Sequence, residues 1–290
     1  MFGRLITAMA TPMQPDGSLD LEGAQELAQF LLAHGSESIV VAGTTGESPT
    51  LSREEKAELF TAVVEAAEGR GKVIAGTGTY NTRESIELSL MAKACGVDGL
   101  LLVTPYYSRP PQSGLLAHFT AIAKACDLPA ILYDIPSRTG RKIEHETLID
   151  LSKVPNIIGV KDAAGDPSGT AKLAAEAPGF TIWSGDDALT LPMLAVGATG
   201  VISVASHLAG DKIAEMIETF HKGDVDTAAA IDHELRPLFE VLFITSNPIP
   251  LKAALELIGL PAGPVRLPLV HATLDEKAKV EKVLKQLGAV

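Results

Sequence analysis

Ile157-Ile158-Gly159-Val160-Lys161-Asp162-Ala163-Ala164-Gly165 is the stretch from which the chain is read. Its short apolar run is a buried strand rather than a helix, and it stops at a lysine followed by a small, Gly-containing loop. A lysine amine beside an apolar wall loses hydration. Its charged form is then disfavoured, and the neutral amine becomes a nucleophile toward carbonyls. Imine chemistry is one reading; a solvated lysine closing an ordinary strand is the other.

Outward from this strand the same unit recurs. Leu5 to Ala10, Ser38 to Val41, Lys72 to Gly76, Gly99 to Val103, Ala130 to Asp134, Ile157 to Lys161, Thr181 to Ser184 and Gly200 to Val204 read as strands. Helical patterns near 21–34, 52–68, 82–95, 112–126, 144–153, 167–177 and 187–196 lie between them, with start signals such as Ser52-Arg53-Glu54-Glu55. Eight strands alternating with helices predict an α/β fold, a closed (β/α)8 TIM barrel. A doubly wound open sheet would need a Gly-rich dinucleotide turn after the first strand, where Met9-Ala10-Thr11-Pro12-Met13 stands instead. Residues 207–222, 224–244, 250–258 and 274–287 read as further helices, divided by Asn247-Pro248-Ile249-Pro250 and by the proline-rich stretch from Pro261 to Pro268. The expected organisation is a catalytic barrel over 1–222 and a C-terminal helical extension over 223–290 packed on it.

The composition agrees. Of 290 residues 46% are hydrophobic but only 4% aromatic, so Ala, Val, Leu and Ile fill the core, as suits a parallel sheet covered by helices. A formal charge of −12 argues against nucleic-acid or anionic-membrane partners. Cys95 and Cys126, both in helix-like segments and without metal-type spacing, read as free thiols of a reducing compartment. No signal sequence or apolar stretch of about eighteen residues is evident, so a cytoplasmic protein is expected.

Barrel loops that follow the strands assemble at one face, where distant residues become neighbours. Gly43-Thr44-Thr45-Gly46-Glu47 can turn backbone N–H groups and hydroxyls toward a small carboxylate, or be an ordinary Gly turn. Three of the four tyrosines lie at strand ends of that face, in Thr104-Pro105-Tyr106-Tyr107 and at Tyr133. A phenol there can pass protons, although tyrosines on strands are more often packing. Arg138 is a fork for a substrate carboxylate or a loop cap. In Ser184-Gly185-Asp186-Asp187 two carboxylates would repel a phosphate, which favours an unphosphorylated keto acid; both aspartates also suit a helix cap. The seven histidines show no ligand spacing, so neither a metal nor another cofactor is expected, and His207 is the only one near the face.

In this order, Gly43 to Glu47, Tyr133-Asp134-Ile135-Pro136-Ser137-Arg138-Thr139-Gly140 and Gly159-Val160-Lys161-Asp162 resemble the dihydrodipicolinate synthase and N-acetylneuraminate lyase superfamily over nearly the whole chain. Thr104 to Tyr107, Ser184 to Asp187, Gly200 to Val204 and Asn247 to Lys252 are similar to its synthase branch. The resemblance implies Schiff-base condensation of pyruvate with L-aspartate 4-semialdehyde, on the diaminopimelate route to lysine. It implies that Lys161 forms the imine, and that Tyr133 passes protons with Thr44 and with a Tyr107 donated by an adjacent subunit. Thr45, Ile202 and Gly185 then hold pyruvate, and Arg138 the carboxylate of the semialdehyde. A homotetramer built as a dimer of dimers follows.

Two positions depart from the familiar pattern: Asp134 replaces an asparagine, and Asp162 a frequent glutamate. The resemblance further implies an effector site for free lysine, with Ser48, Lys56, Tyr80, Glu84 and Tyr106 at the matching positions. Lys56 and Tyr80 replace a histidine and an asparagine there. A cation at Lys56 would repel an incoming ammonium, so weak or absent inhibition by lysine is expected. Two alternatives stand beside this reading. One is a pyruvate-dependent aldolase acting on N-acetylneuraminate or a 2-keto-3-deoxy sugar acid; the other is a silent keto-acid sensor.

Overall fold

The computed structural model describes residues 2–289. Eight parallel strands follow one another in sequence order around a closed barrel: β1 (Leu5–Ala8), β2 (Ser38–Val41), β3 (Lys72–Gly76), β4 (Gly99–Val103), β5 (Ala130–Asp134), β6 (Ile157–Asp162), β7 (Thr181–Ser184) and β8 (Gly200–Ser203). The barrel is the one expected from the alternation of short apolar runs and helical patterns. The chain forms two compact units, residues 74–202 and residues 1–73 with 203–290.

In the unit 74–202, β4 to β8 are nearly all buried, and helices α3 (Thr82–Ala94), α4 (Gln112–Ala125), α6 (His145–Leu151) and α7 (Pro167–Glu176) connect them. Asn81 and Asp166 cap α3 and α7 by accepting backbone N–H groups of the first turn. Gly159 is obligatory for packing, because a Cβ there would lie 2.8 Å from the buried Trp183 ring and run into the Thr181 carbonyl. Two features differ from expectation. Pro136–Thr139 forms a four-residue helix, α5, too short to leave a periodic signal. The helix expected over 187–196 is instead a 3₁₀ turn at Asp187–Leu189 and a five-residue α8 (Thr190–Leu194); Pro192, lacking an N–H, breaks continuity between the two, and Gly197 at φ +108° follows the helix end. Cys95 and Cys126 are C-caps of α3 and α4 rather than helical residues, and neither is in a disulfide.

In the other unit, β1 and β2 pair at Ile6↔Ser38, Thr7↔Ile39 and Ala8↔Val40. Helix α1 (Leu21–Ala33) packs on α2 (Arg53–Ala67), which opens with the expected capping box: Ser52 accepts from Glu55 N–H at 3.1 Å, and Glu55 from Ser52 N–H at 2.8 Å. Helices α9 (Ser206–His221), α10 (Val225–Val241), α11 (Ile249–Leu257) and α12 (Leu274–Gln286) complete it, with α9 packed on β1 and α10, and α11 on α12. No helix among the described residues is long and apolar enough to cross a membrane.

Candidate active site

Parallel pairing aligns Tyr133 of β5 with Lys161 of β6, and Lys161 with Trp183 of β7. Residues in register on neighbouring strands share a face of the sheet, so amine and phenol point the same way. Lys161 Nζ lies 4.4 Å from the centroid of the Tyr133 ring. Both side chains are about 5% exposed. The Tyr133 carbonyl accepts two hydrogen bonds from Thr104, one from its backbone N–H and one from its hydroxyl, each at 2.9 Å. That double bond clamps the strand end from which the phenol projects.

Burial brings the Lys161 ammonium down from 10.5 to about 8; the nearby Arg138 charge pushes the same way and the Asp187 carboxylate opposes it. A substantial neutral fraction therefore exists near neutral pH, which is what an amine nucleophile requires. Asp186 and Asp187 divide the roles that the sequence left open. Exposed Asp186 caps the 3₁₀ turn by accepting from Ala188 N–H at 2.9 Å, whereas Asp187 is buried and acts on the lysine. Arg138 is exposed on α5, whose Gly140 ends it in the left-handed region at φ +68°. Gly185 donates its N–H to the Asp162 carbonyl at 2.7 Å, and Ile202 is buried in β8.

Alternation turns Asp134 and Asp162 to the opposite face, away from the tyrosine and lysine beside them. They line a cavity of about 40 Å³ with Ile143, Leu148, Val160 and Leu173. Asp162 accepts from Ala164 N–H at 3.0 Å and from the Thr170 hydroxyl at 2.8 Å, while Asp134, among the described residues, accepts only Ile143 N–H, at 3.1 Å. Burial drives the Asp134 carboxyl up from 3.8 to about 7; the Ile143 bond and Lys142 hold it back, and Asp162 and Glu144 push it further.

In the unit 1–73 with 203–290, the turn after β2 carries Thr44 and Thr45. Ala42 and Glu47 both have positive φ, +52° and +55°, and a Cβ on Gly46 would crowd the Ala42 backbone and the Met9 carbonyl at 3.1 Å. Thr45 is buried, and its hydroxyl accepts from Asn247 Nδ2 at 3.0 Å. Ser48 starts the following 3₁₀ turn, and Lys56 is buried on α2. In the unit 74–202, Tyr80 and Tyr106 meet edge to face with ring centroids 5.1 Å apart, and Glu84 accepts from the Thr79 hydroxyl at 3.2 Å. Tyr107 is 92% exposed and has φ +67°. His207 is a core residue: Nε2 accepts Ala10 N–H at 3.1 Å, Nδ1 donates to the Val204 carbonyl at 2.8 Å, and burial pushes its pKa to about 4.

Sequence reasoning gave no role to Thr104 or Asn247, and none to Asp187 beyond a cap or the repulsion of a phosphate. All three stand inside stretches already singled out, but nothing local in them encodes a partner tens or hundreds of residues away.

Residues 1–287 match the Dihydrodipicolinate synthetase family. A 4-hydroxy-tetrahydrodipicolinate synthase of Moorella thermoacetica is 57% identical over 288 residues, 99% of either chain. The one of Symbiobacterium thermophilum is 55% identical over 291 residues, covering 100% of this chain and 99% of its own. Among solved structures, the dihydrodipicolinate synthase of Cyanidioschyzon merolae with lysine bound superposes with a TM-score of 0.98 at 46% identity, over 100% of this chain and 99% of that one.

Proposed function

The chain belongs to the dihydrodipicolinate synthetase family, and from that premise we propose that Lys161 is the imine-forming nucleophile and Tyr133 its proton-transfer partner. The protein is a lyase that condenses pyruvate with L-aspartate 4-semialdehyde on the diaminopimelate route to lysine, the reaction of the 4-hydroxy-tetrahydrodipicolinate synthases. The observation that carries the assignment of roles is a dry Lys161 amine, with a pKa brought to about 8, above the Tyr133 ring.

Neutral Lys161 adds to the keto carbon of pyruvate, and the carbinolamine loses water once its hydroxyl is protonated. The protonated imine withdraws electrons, the pyruvate methyl group gives up a proton, and the resulting enamine carbon attacks the aldehyde of the second substrate. The amine of that substrate then displaces Lys161 and closes the ring, so one water leaves overall and the lysine returns free. Tyr133, as donor and acceptor in turn, moves the protons at the carbinolamine and the methyl group. Asp187 offsets the positive charge of the iminium. Arg138 is assigned to the semialdehyde carboxylate; its exposed, planar fork on α5 supports that role.

Thr44 is assigned to proton transfer, and Thr45, Ile202 and the Gly185 carbonyl to holding pyruvate. Exposure of Tyr107 supports its donation to a neighbouring subunit, and with it a dimer of dimers. Two cysteines outside any disulfide favour a cytoplasmic location. Incubation with pyruvate and borohydride followed by mass spectrometry tests the assignment: a reduced three-carbon adduct is expected on Lys161, and an adduct elsewhere or none would remove it.

A further inference from the structure

The motif Asn247 to Lys252 lies 202 residues from the turn it touches. Its lysine braces that turn: Lys252 Nζ pairs with Glu47 Oε1 at 2.7 Å and donates to the Pro264 carbonyl at 2.7 Å. Glu47 Oε2 accepts Arg266 N–H at 2.8 Å. The Arg266 guanidinium donates to Gly17 and Thr50 carbonyls and to Glu55 Oε2, each at 2.8 Å. These bonds brace Glu47 in the left-handed conformation that non-glycine residues seldom adopt.

Asn247 acts on the hydroxyl instead of the backbone. A threonine hydroxyl has one proton to give and two lone pairs to receive with. Asn247 Nδ2 occupies a lone pair of Thr45 Oγ1, and among the described residues this oxygen makes no other hydrogen bond. With Thr45 2% and Asn247 6% exposed, the hydroxyl proton has no acceptor among the described residues and lies in a nearly dry place, beside an Asn247 Oδ1 that is likewise buried without a hydrogen-bond partner. Had the amide presented its oxygen, the proton would have been consumed by Asn247 itself.

We propose that Asn247 is a positioning residue for pyruvate: it turns the Thr45 hydroxyl so that its proton is given to the substrate carboxylate. This rests on the assignment of Thr45 to that carboxylate. A hydrogen bond to a charged acceptor is worth roughly ten- to hundred-fold in binding, so losing its orientation costs a sizeable part of that factor.

The test is a double-mutant cycle in the full-length enzyme, Asn247→Ala with Thr45→Val, reading KM for pyruvate and kcat separately. Asn247→Ala is expected to raise KM about five- to thirty-fold with kcat changed less than about threefold, as for an interaction equal in ground and transition states. In the Thr45→Val background the same change is expected to move KM by less than about twofold. Asn247→Ser, which keeps a donor, is expected to recover part of the loss, and it enters the cycle if Asn247→Ala does not fold. Additive KM effects, or a kcat loss as large as the KM gain, would overturn this role while leaving Thr45 as a ligand. An unchanged pyruvate KM in Thr45→Val alone would overturn the carboxylate assignment itself.

Discussion

Lys161 and Tyr133 are coupled through both backbone and side chain: they are register partners across β5 and β6, and the amine stands 4.4 Å from the centroid of the phenol ring. Burial disfavours the ammonium form more strongly than the Asp187 carboxylate favours it, which leaves the amine at about 8.

The rate of pyruvate adduct formation, read by reductive trapping, should climb about tenfold per pH unit up to roughly pH 8 and level off beyond it. A rate still climbing through pH 10 would mean that the amine is not depressed.

Replacing Tyr133 by Phe keeps the ring under Lys161 and removes only the hydroxyl. Turnover should fall by about 10²–10⁴-fold, the range for a lost acid–base catalyst, with stability little changed. Wild-type turnover in a steady-state assay would remove the phenol from the mechanism.

Lys161→Met should stabilise the fold by about 1–3 kcal/mol at pH 7, because wild type must either bury a charge or release a proton. The folded pKa is lowered from 10.5 to about 8, so wild type gains stability as pH rises from 8 toward 10.5. The advantage of the variant should therefore shrink between pH 8 and 10 in urea unfolding. A constant difference would contradict the depressed amine.

Asp134 has the opposite sign. Its carboxyl is raised from 3.8 to about 7, so the stability it contributes is complete below pH 4 and is lost as pH climbs through 7. Asp134→Asn should stabilise by about 1–3 kcal/mol at pH 8 and by nothing near pH 4, if chemical unfolding is followed across that range. An isosteric amide keeps the acceptor for Ile143 N–H, so a loss of stability at pH 8 would show that the carboxylate is needed charged.

Free lysine should inhibit weakly or not at all, since Lys56 stands where the resemblance places a histidine and like charges repel. Clear inhibition by sub-millimolar lysine in a steady-state assay would place the ammonium elsewhere in the effector site.

Much of this enzyme was legible along the chain because its signals are local. Eight short apolar runs spaced by helical periodicity define the barrel, and a lysine ending one of those runs marks the proposed nucleophile. Ser52 with Glu55 marks a helix start within four residues of sequence. The four residues of α5 and the divided segment after Asp187 were not legible, because neither spans enough turns to show a period.

What sequence alone determined, then, is the order of strands, the placing of Lys161 and Tyr133 on strand ends, and that of Thr44, Thr45 and Arg138 in the segments that follow strands. Tertiary structure alone decided which groups act on them. Asp187 lies 26 positions from Lys161 and Asn247 lies 202 from Thr45. A pKa or a hydroxyl's direction depends on desolvation and on neighbours a few ångströms away, and those exist only once the chain has closed on itself.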